Sequence, residues 1–298
     1  MKDALHELQG KIGYQFQDET LLKQNLEILR EVSEWAGCKI LLAQKAFSMF
    51  SVLPVPQAEW NRQNMRWMLA AFPLVGAAVG AACWGWAALC GALALPAVLR
   101  GAGLCLLPVA ITGGIHLDGY ADTCDALASH ASPARRQEIL KDPHLGAFAA
   151  IRLCCHLLAC FALCASLPRY DGPAFLLAFC LSRALSGLAI AAFPLARDTG
   201  LAHTFAAAAD RRLLRILLSA LSALLALLLL FRGPAGCGMA AAAGCVFLYY
   251  RRMAQTKFGG LSGDLAGWFL QTAELWMLGA ACAVQYLEPL LQNWGDML

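Results

Sequence analysis

Residues 69–93 read LAAFPLVGAAVGAACWGWAALCGAL, a run without a single Lys, Arg, Asp or Glu. A helix rises about 1.5 Å per residue and about 20 apolar residues cross a bilayer core, so this run is long enough to span. Gly76, Gly80, Gly85 and Gly91 punctuate it, and small residues let helix backbones approach closely where lipid gives no hydrophobic push. Working outward, further apolar runs follow at 95–115, 146–168, 173–196, 213–231, 234–250 and 265–287. The pattern predicts an all-α, polytopic integral membrane bundle of about seven transmembrane helices. Composition agrees. Of 298 residues 59% are apolar and 14% charged, against about 25% charged in soluble domains, and the mean hydropathy is +0.57. The net charge of +3 is too small to imply a nucleic-acid partner. Most of the thirteen cysteines lie inside apolar runs and none shows a CxxC spacing, so they read as small hydrophobes in a reducing compartment.

The first 38 residues differ from the rest, with charges of both signs and a loose helical stripe of Leu8, Ile12, Phe16, Leu21, Leu22, Leu26 and Leu29 broken by Gly10 and Gly13. They read as a soluble or interfacial appendage to a membrane-embedded domain over 39–298. No charged n-region, apolar h-region and cleavage site opens the chain, so no removed signal peptide is expected. The stretch from Ile12 to Leu22 resembles the opening helix of ribonuclease III; no acidic nuclease signature follows, and no nuclease site is expected. An apolar segment from Leu41 to Pro56 ends in Leu53–Pro54–Val55–Pro56. It is too short to span and is closed by prolines, which places it at the membrane surface or dipping into it.

Sorting the 23 Lys and Arg residues gives a side to each loop. Eight precede the first run, three lie in 116–145, four in 197–215 and three in 251–257, whereas the opposite loops hold only Arg169 and Arg232. Arg100, Arg152 and Arg183 fall within the runs. Positive loops stay in the cytoplasm, which puts the N-terminus inside, the C-terminus outside and the acidic loops on the cytoplasmic side of the inner membrane.

Those loops carry the candidate chemistry. Asp118, Asp122 and Asp125 recur at i, i+4 and i+7, one face of a helix. Three like charges there call for a cation, and Mg²⁺ is held by one or two carboxylates plus substrate phosphates; the alternative is a solvated polar face. His116 adjoins the cluster and is a candidate partner for a phosphate or an Asp, while His156 reads as a packing residue. In Lys141–Asp142–Pro143–His144–Leu145–Gly146–Ala147 the proline holds Asp142 extended and Gly146 opens a helix end able to receive an anion. Phe258–Gly259–Gly260–Leu261–Ser262–Gly263–Asp264 offers backbone that approaches a phosphate closely, with Asp264 near the metal. Arg183 and Glu274 lie deep in apolar runs, where they pair with each other or line a substrate cavity.

The run from Thr112 to Asp125, with its core His116–Leu117–Asp118–Gly119–Tyr120–Ala121–Asp122–Thr123–Cys124–Asp125, resembles the HLDGxADxxDG signature of the cobalamin synthase family, the adenosylcobinamide-GDP ribazoletransferases. Leu53–Pro54–Val55–Pro56, Phe72–Pro73–Leu74–Val75–Gly76, the Lys141–Ala147 segment, Ser182–Arg183 and Gly259–Asp264 match in order, over about residues 41–287. Ala126 stands where a glycine is usual, Val52 where a basic residue commonly precedes the proline run, and Ser262 where a threonine is common. The resemblance implies attack by the ribose 3′-hydroxyl of α-ribazole, or of α-ribazole 5′-phosphate, on the cobinamide-linked phosphate of adenosylcobinamide-GDP, with release of GMP. It implies Mg²⁺ at Asp118, Asp122 and Asp125, Asp264 as a further ligand or the base, and Lys141 and Arg183 as phosphate contacts. Substrate contacts are further expected at His116, Asp142, Gly259, Gly260, Ser262 and Glu274. A homo-oligomer stays open. The DGxxDxxD pattern also looks like a loose analogue of the CDP-alcohol phosphotransferase motif, and intramembrane Glu274 and Arg183 would suit a secondary transporter.

Overall fold

Gly76 and Gly80 show how the bundle closes. The computed structural model describes residues 47, 49–52, 68–142, 144–196 and 210–295. In it, a Cβ at Gly76 would collide with the Phe179 carbonyl, and one at Gly80 would stand 2.6 Å from the Leu176 Cα. Their helix, α1 (Met68–Ala92), therefore lies backbone to backbone on α6 (Gly172–Ala192). Gly85 and Gly91 face open space. Between these helices run α2 (Ala97–Thr112), α3 (Ile115–Ala128), the short α4 (Pro133–Ile139) and α5 (Ala147–Ser166). After α6 come α7 (Arg211–Leu230), α8 (Pro234–Phe258) and α9 (Gly263–Gly295). The chain separates into two units, Met1–Leu41 and Leu42–Leu298, and every described residue belongs to the second. The expected appendage 1–38 and the Leu53–Pro56 run lie outside the described residues.

α6 is the central element, packed on α1, α7, α8 and α9. Its start is fixed by Asp171, whose carboxylate accepts from the Ala174 N–H at 3.3 Å and holds Arg232 at 2.8 Å. That ion pair joins the α5–α6 loop to the α7–α8 turn. At the same end Arg100 donates to the Leu167 carbonyl at 2.6 Å, and the Arg169 N–H donates to Gln285 at 3.0 Å. The acidic loops gather at the other end. The exterior is apolar: Leu106, Leu158, Ile216, Leu224, Phe231 and Leu248 are all exposed, a surface suited to lipid and not to water.

Among the described residues, four helices are each long and apolar enough to cross a membrane: α1, α5, α6 and α7. The expected count of about seven is not reached by this measure, which gives four, or five if α2 and α3 form one bent span. The second run, expected over 95–115, stops at Thr112, because Gly113 and Gly114 take left-handed φ values of 64° and 77° and the chain turns by 95° into α3. The sixth and seventh runs are helical at 25 and 33 residues but fall short in apolarity. The first begins Gly-rich and ends with Arg251, Arg252 and Lys257, and the second carries Asp264 and Glu274.

Candidate active site

α3 makes the carboxylate spacing geometric. Helical from Ile115 to Ala128, it sets Asp118, Asp122 and Asp125 on one face, outside the four helices that are each long enough to span. α9 arrives with Asp264 in its first turn. A Cβ at Gly119 would stand 2.8 Å from the Asp264 carbonyl oxygen, and one at Gly267 would stand 2.9 Å from that of His116. These two glycines let α3 and α9 meet backbone to backbone, and the meeting delivers Asp264 to the α3 carboxylates. The electrostatic result is visible at Asp122. Partial burial, then Asp118, Asp264 and Asp125, push its carboxyl up from 3.8 to about 6.

Ser262 caps α9, accepting from the Leu265 N–H at 3.3 Å and donating to an Asp264 oxygen at 3.4 Å. Gly259 ends α8 at a φ of 70°, and Gly260, at 153°, backs onto Leu195 and Ala196, where a Cβ would be 2.5 Å from the Ala196 nitrogen. The Leu261 N–H donates to the Pro194 carbonyl at 2.9 Å, and the Ala196 N–H to that of Leu261 at 3.0 Å. The Gly259–Asp264 turn is thus clamped between the end of α6 and the start of α9.

Two expectations meet a different arrangement. Gly146 does cap a helix, α5, but the anion at that helix end is the protein's own: a Cβ at Gly146 would collide with the carboxylate of Asp125. Arg183, expected as a phosphate contact, is 1% exposed. It pairs with Glu274 and donates to the Phe179 carbonyl at 3.1 Å and to the Ser182 hydroxyl at 3.0 Å. A charge so placed must be paired, and the pair joins α6 to α9. Glu274 also borders a small apolar cavity with Cys83, Leu104 and Gln271.

The other predicted residues are placed as follows. His116 is buried, stacked near Phe50 and edge-on to Phe72; burial first and the Arg183 charge second depress its pKa to about 3, so it is neutral. Its Nε2 has no hydrogen-bond partner among the described residues. His156 tilts against Tyr120 with ring centroids 4.6 Å apart, its Nε2 3.1 Å from Gln271. Lys141 and Asp142 are exposed at the end of α4. The Asp142 carboxylate accepts from the His144 N–H at 3.0 Å and lies 2.7 Å from its Nδ1, which holds its pKa below the usual range.

Sequence reasoning missed Arg136 and Gln137. Arg136 is 7% exposed; its Nε donates to the Ala126 carbonyl and its guanidinium to that of Lys257, each at 3.2 Å. Gln137 donates to the Phe258 carbonyl at 3.0 Å. A cation here meets the carbonyl-rich ends of α3 and α8 and ties the Asp125 segment to the one preceding Gly259. The neighbour Arg135 is exposed and pairs with Glu138 at 2.6 Å. Nothing local distinguishes the two arginines.

The donor set of this end is four carboxylates, hard oxygen ligands of the kind Mg²⁺ takes, and the raised Asp122 carboxyl marks a field that a cation would relieve. Among the described residues no three His, Cys, Asp or Glu side chains are placed to hold a metal ion together.

Comparison with known proteins gives these residues a family. The family described as cobalamin-5-phosphate synthase matches residues 43–282. A protein of Lachnoclostridium phytofermentans named adenosylcobinamide-GDP ribazoletransferase is 41% identical over 241 residues, 80% of this chain and 92% of its own length. Proteins of the same name from Stutzerimonas stutzeri and Geobacillus kaustophilus are 37% and 34% identical, over 77% and 78% of this chain and 92% of their own lengths. No solved structure matches. With the match covering most of the chain, including the α3 carboxylates and Asp264, the protein belongs to the cobalamin-5-phosphate synthase family.

Proposed function

We propose that the protein joins the lower nucleotide loop of a cobamide: it transfers the cobinamide-phosphate group of adenosylcobinamide-GDP to α-ribazole or α-ribazole 5′-phosphate and releases GMP. The observation that carries the reading is the convergence of Asp118, Asp122 and Asp125 on α3 with Asp264 of α9 through the Gly119–Gly267 contact, in a chain whose relatives bear that enzyme's name. The ribose hydroxyl oxygen bonds to the cobinamide-linked phosphorus, the bond from that phosphorus to the bridging oxygen breaks, and the hydroxyl proton passes to a carboxylate. Such phosphoryl transfer needs positioning and charge neutralisation more than covalent machinery. Mg²⁺, when bound, would offset charge on the transferring oxygens and the leaving GMP.

Asp118 and Asp122 would hold the ion, with Asp125 restrained beside the α5 N-terminus. Asp264 is the candidate base, because Ser262 and the helix cap fix it at the rim of the cluster. Lys141, exposed on the loop that reaches Gly146, is the candidate phosphate contact. The Arg183–Glu274 pair supports the site from beneath. The excess of Lys and Arg in the loops at this end supports a reaction on the cytoplasmic side of the inner membrane. The relatives' names favour this reaction over a CDP-alcohol phosphotransferase or a transporter.

The test is to incubate purified protein with adenosylcobinamide-GDP, α-ribazole and Mg²⁺ and follow GMP. Stoichiometric GMP and cobamide are expected. Absence of both in a folded, membrane-inserted preparation rejects the reading.

A further inference from the structure

α5 is the least enclosed of the spanning helices, yet its second turn carries an arginine. Arg152 is exposed and makes no hydrogen bond or ion pair among the described residues. It lines a groove of about 620 Å3 between α3, α5, α8 and α9, with Tyr120, Phe148, Tyr249, Trp268 and Trp276. The outer walls are themselves exposed and apolar: Phe148 by 60%, Tyr249 by 58% and Trp276 by 61%, flanked by Ile151 and Leu248. The groove therefore opens toward hydrocarbon and not toward water. It lies on the side of α3 formed by Tyr120, Cys124 and Leu127, away from the face that carries Asp118, Asp122 and Asp125.

Arg152 stands five residues past the start of α5, about 7.5 Å along the helix, a depth from which a long basic side chain reaches the headgroup level. Tyr and Trp favour that same level. A guanidinium with no ion-pair partner among the described residues, beside an aromatic, lipid-facing trough, calls for an occupant with an anionic head and an apolar tail. His130, at the groove's mouth, adds a donor. We infer that this groove binds an anionic phospholipid, its phosphate on Arg152 and an acyl chain along Tyr249, Leu275 and Trp276. Charge selects the lipid class, because a zwitterionic headgroup brings a second cation toward the guanidinium.

The full-length protein, purified in detergent, is exposed to equal amounts of phosphatidylglycerol and phosphatidylcholine, and the lipid retained per chain is counted by native mass spectrometry. Wild type should prefer phosphatidylglycerol. Arg152→Gln should lower that preference about five-fold, the effect of one basic residue at an anionic surface, and Arg152→Lys should keep most of it. Because Arg152 makes no hydrogen bond or ion pair among the described residues, both variants should fold. An unchanged preference in Arg152→Gln overturns the inference. So does unchanged lipid retention combined with a raised KM for adenosylcobinamide-GDP, which would assign Arg152 to the substrate's phosphates. Lipid retention is read without turnover, so the outcome is separable from the proposed reaction.

Discussion

Arg136 offers the sharpest test of how the acidic end is held together. Arg136→Met keeps most of the apolar stem and deletes the guanidinium that donates to Ala126 and Lys257 at 3.2 Å each. Hydrogen bonds to a charged group contribute about 1.5–3 kcal/mol each. The deletion also removes the cost of keeping a guanidinium buried, which offsets part of the loss. The net destabilisation expected is about 2–4 kcal/mol. At about 2–4 °C per kcal/mol for domains of 150–250 residues, Tm should fall by about 4–16 °C, read from the tryptophan signal of detergent-solubilised protein. A purely structural role would stop there. If Arg136 also sets the spacing between the Asp125 segment and the Gly259–Asp264 turn, then well below both melting temperatures the Mg²⁺ concentration for half-maximal turnover should rise several-fold, and Arg136→Lys should restore part of it. A Tm within about 1 °C of wild type together with an unchanged Mg²⁺ dependence would refute the clamp.

Asp122→Asn keeps the size and removes the charge, so GMP release should fall by at least about 10²-fold, the scale of losing a main electrostatic contribution; near-normal turnover at saturating substrate would sink the metal assignment. The Asp122 carboxyl, raised from 3.8 to about 6, is protonated in the fold below that pH. Burial of the ionised carboxyl first, and repulsion from its carboxylate neighbours second, therefore lower stability as pH rises from about 4 to 6, and a divalent ion must displace the proton below about pH 6. Calorimetric Mg²⁺ titrations should show affinity falling as pH falls there, and Asp118→Asn, which removes the strongest neighbouring charge, should move the break downward. Removal of residues 1–38, which hold none of the matched motifs, should leave specific activity intact. Cysteines introduced as Ser132→Cys and Thr256→Cys in a cysteine-depleted background should resist an impermeant thiol reagent in intact cells, while Leu93→Cys, at the opposite end of the bundle, should react.

What the sequence could reveal depends on whether the deciding interaction is local. The period of 3.6 residues makes Asp118, Asp122 and Asp125 neighbours wherever that segment is helical, so their common face was legible. Gly113–Gly114 carried a signal that the apolar run hid: Ile115 prolongs the hydropathy past the point where two left-handed glycines turn the helix. Gly76 and Gly85 have the same chemistry in the same helix, yet only the first meets α6, because a glycine records permission for a contact and not the presence of a partner. The Arg183–Glu274 pair was foreseeable as an alternative, since two charges in apolar helices have few other ways to be tolerated.

Gly146 is the most instructive case. A helix N-terminus attracts an anion whatever its source, and the sequence around Gly146 cannot say whether that anion is a substrate phosphate or a carboxylate twenty-one residues earlier in the chain. The fold answers by laying Asp125 against it. The positive end of α5 then competes with any cation for Asp125, while Asp118 lies in the first turn of α3 and Asp122 is faced by the charges of Asp118, Asp264 and Asp125. One carboxylate of the triplet thus has a partner in the scaffold, and the remaining charge is concentrated toward the α9 side, where Asp264 enters and where the proposed metal would meet the nucleotide's diphosphate.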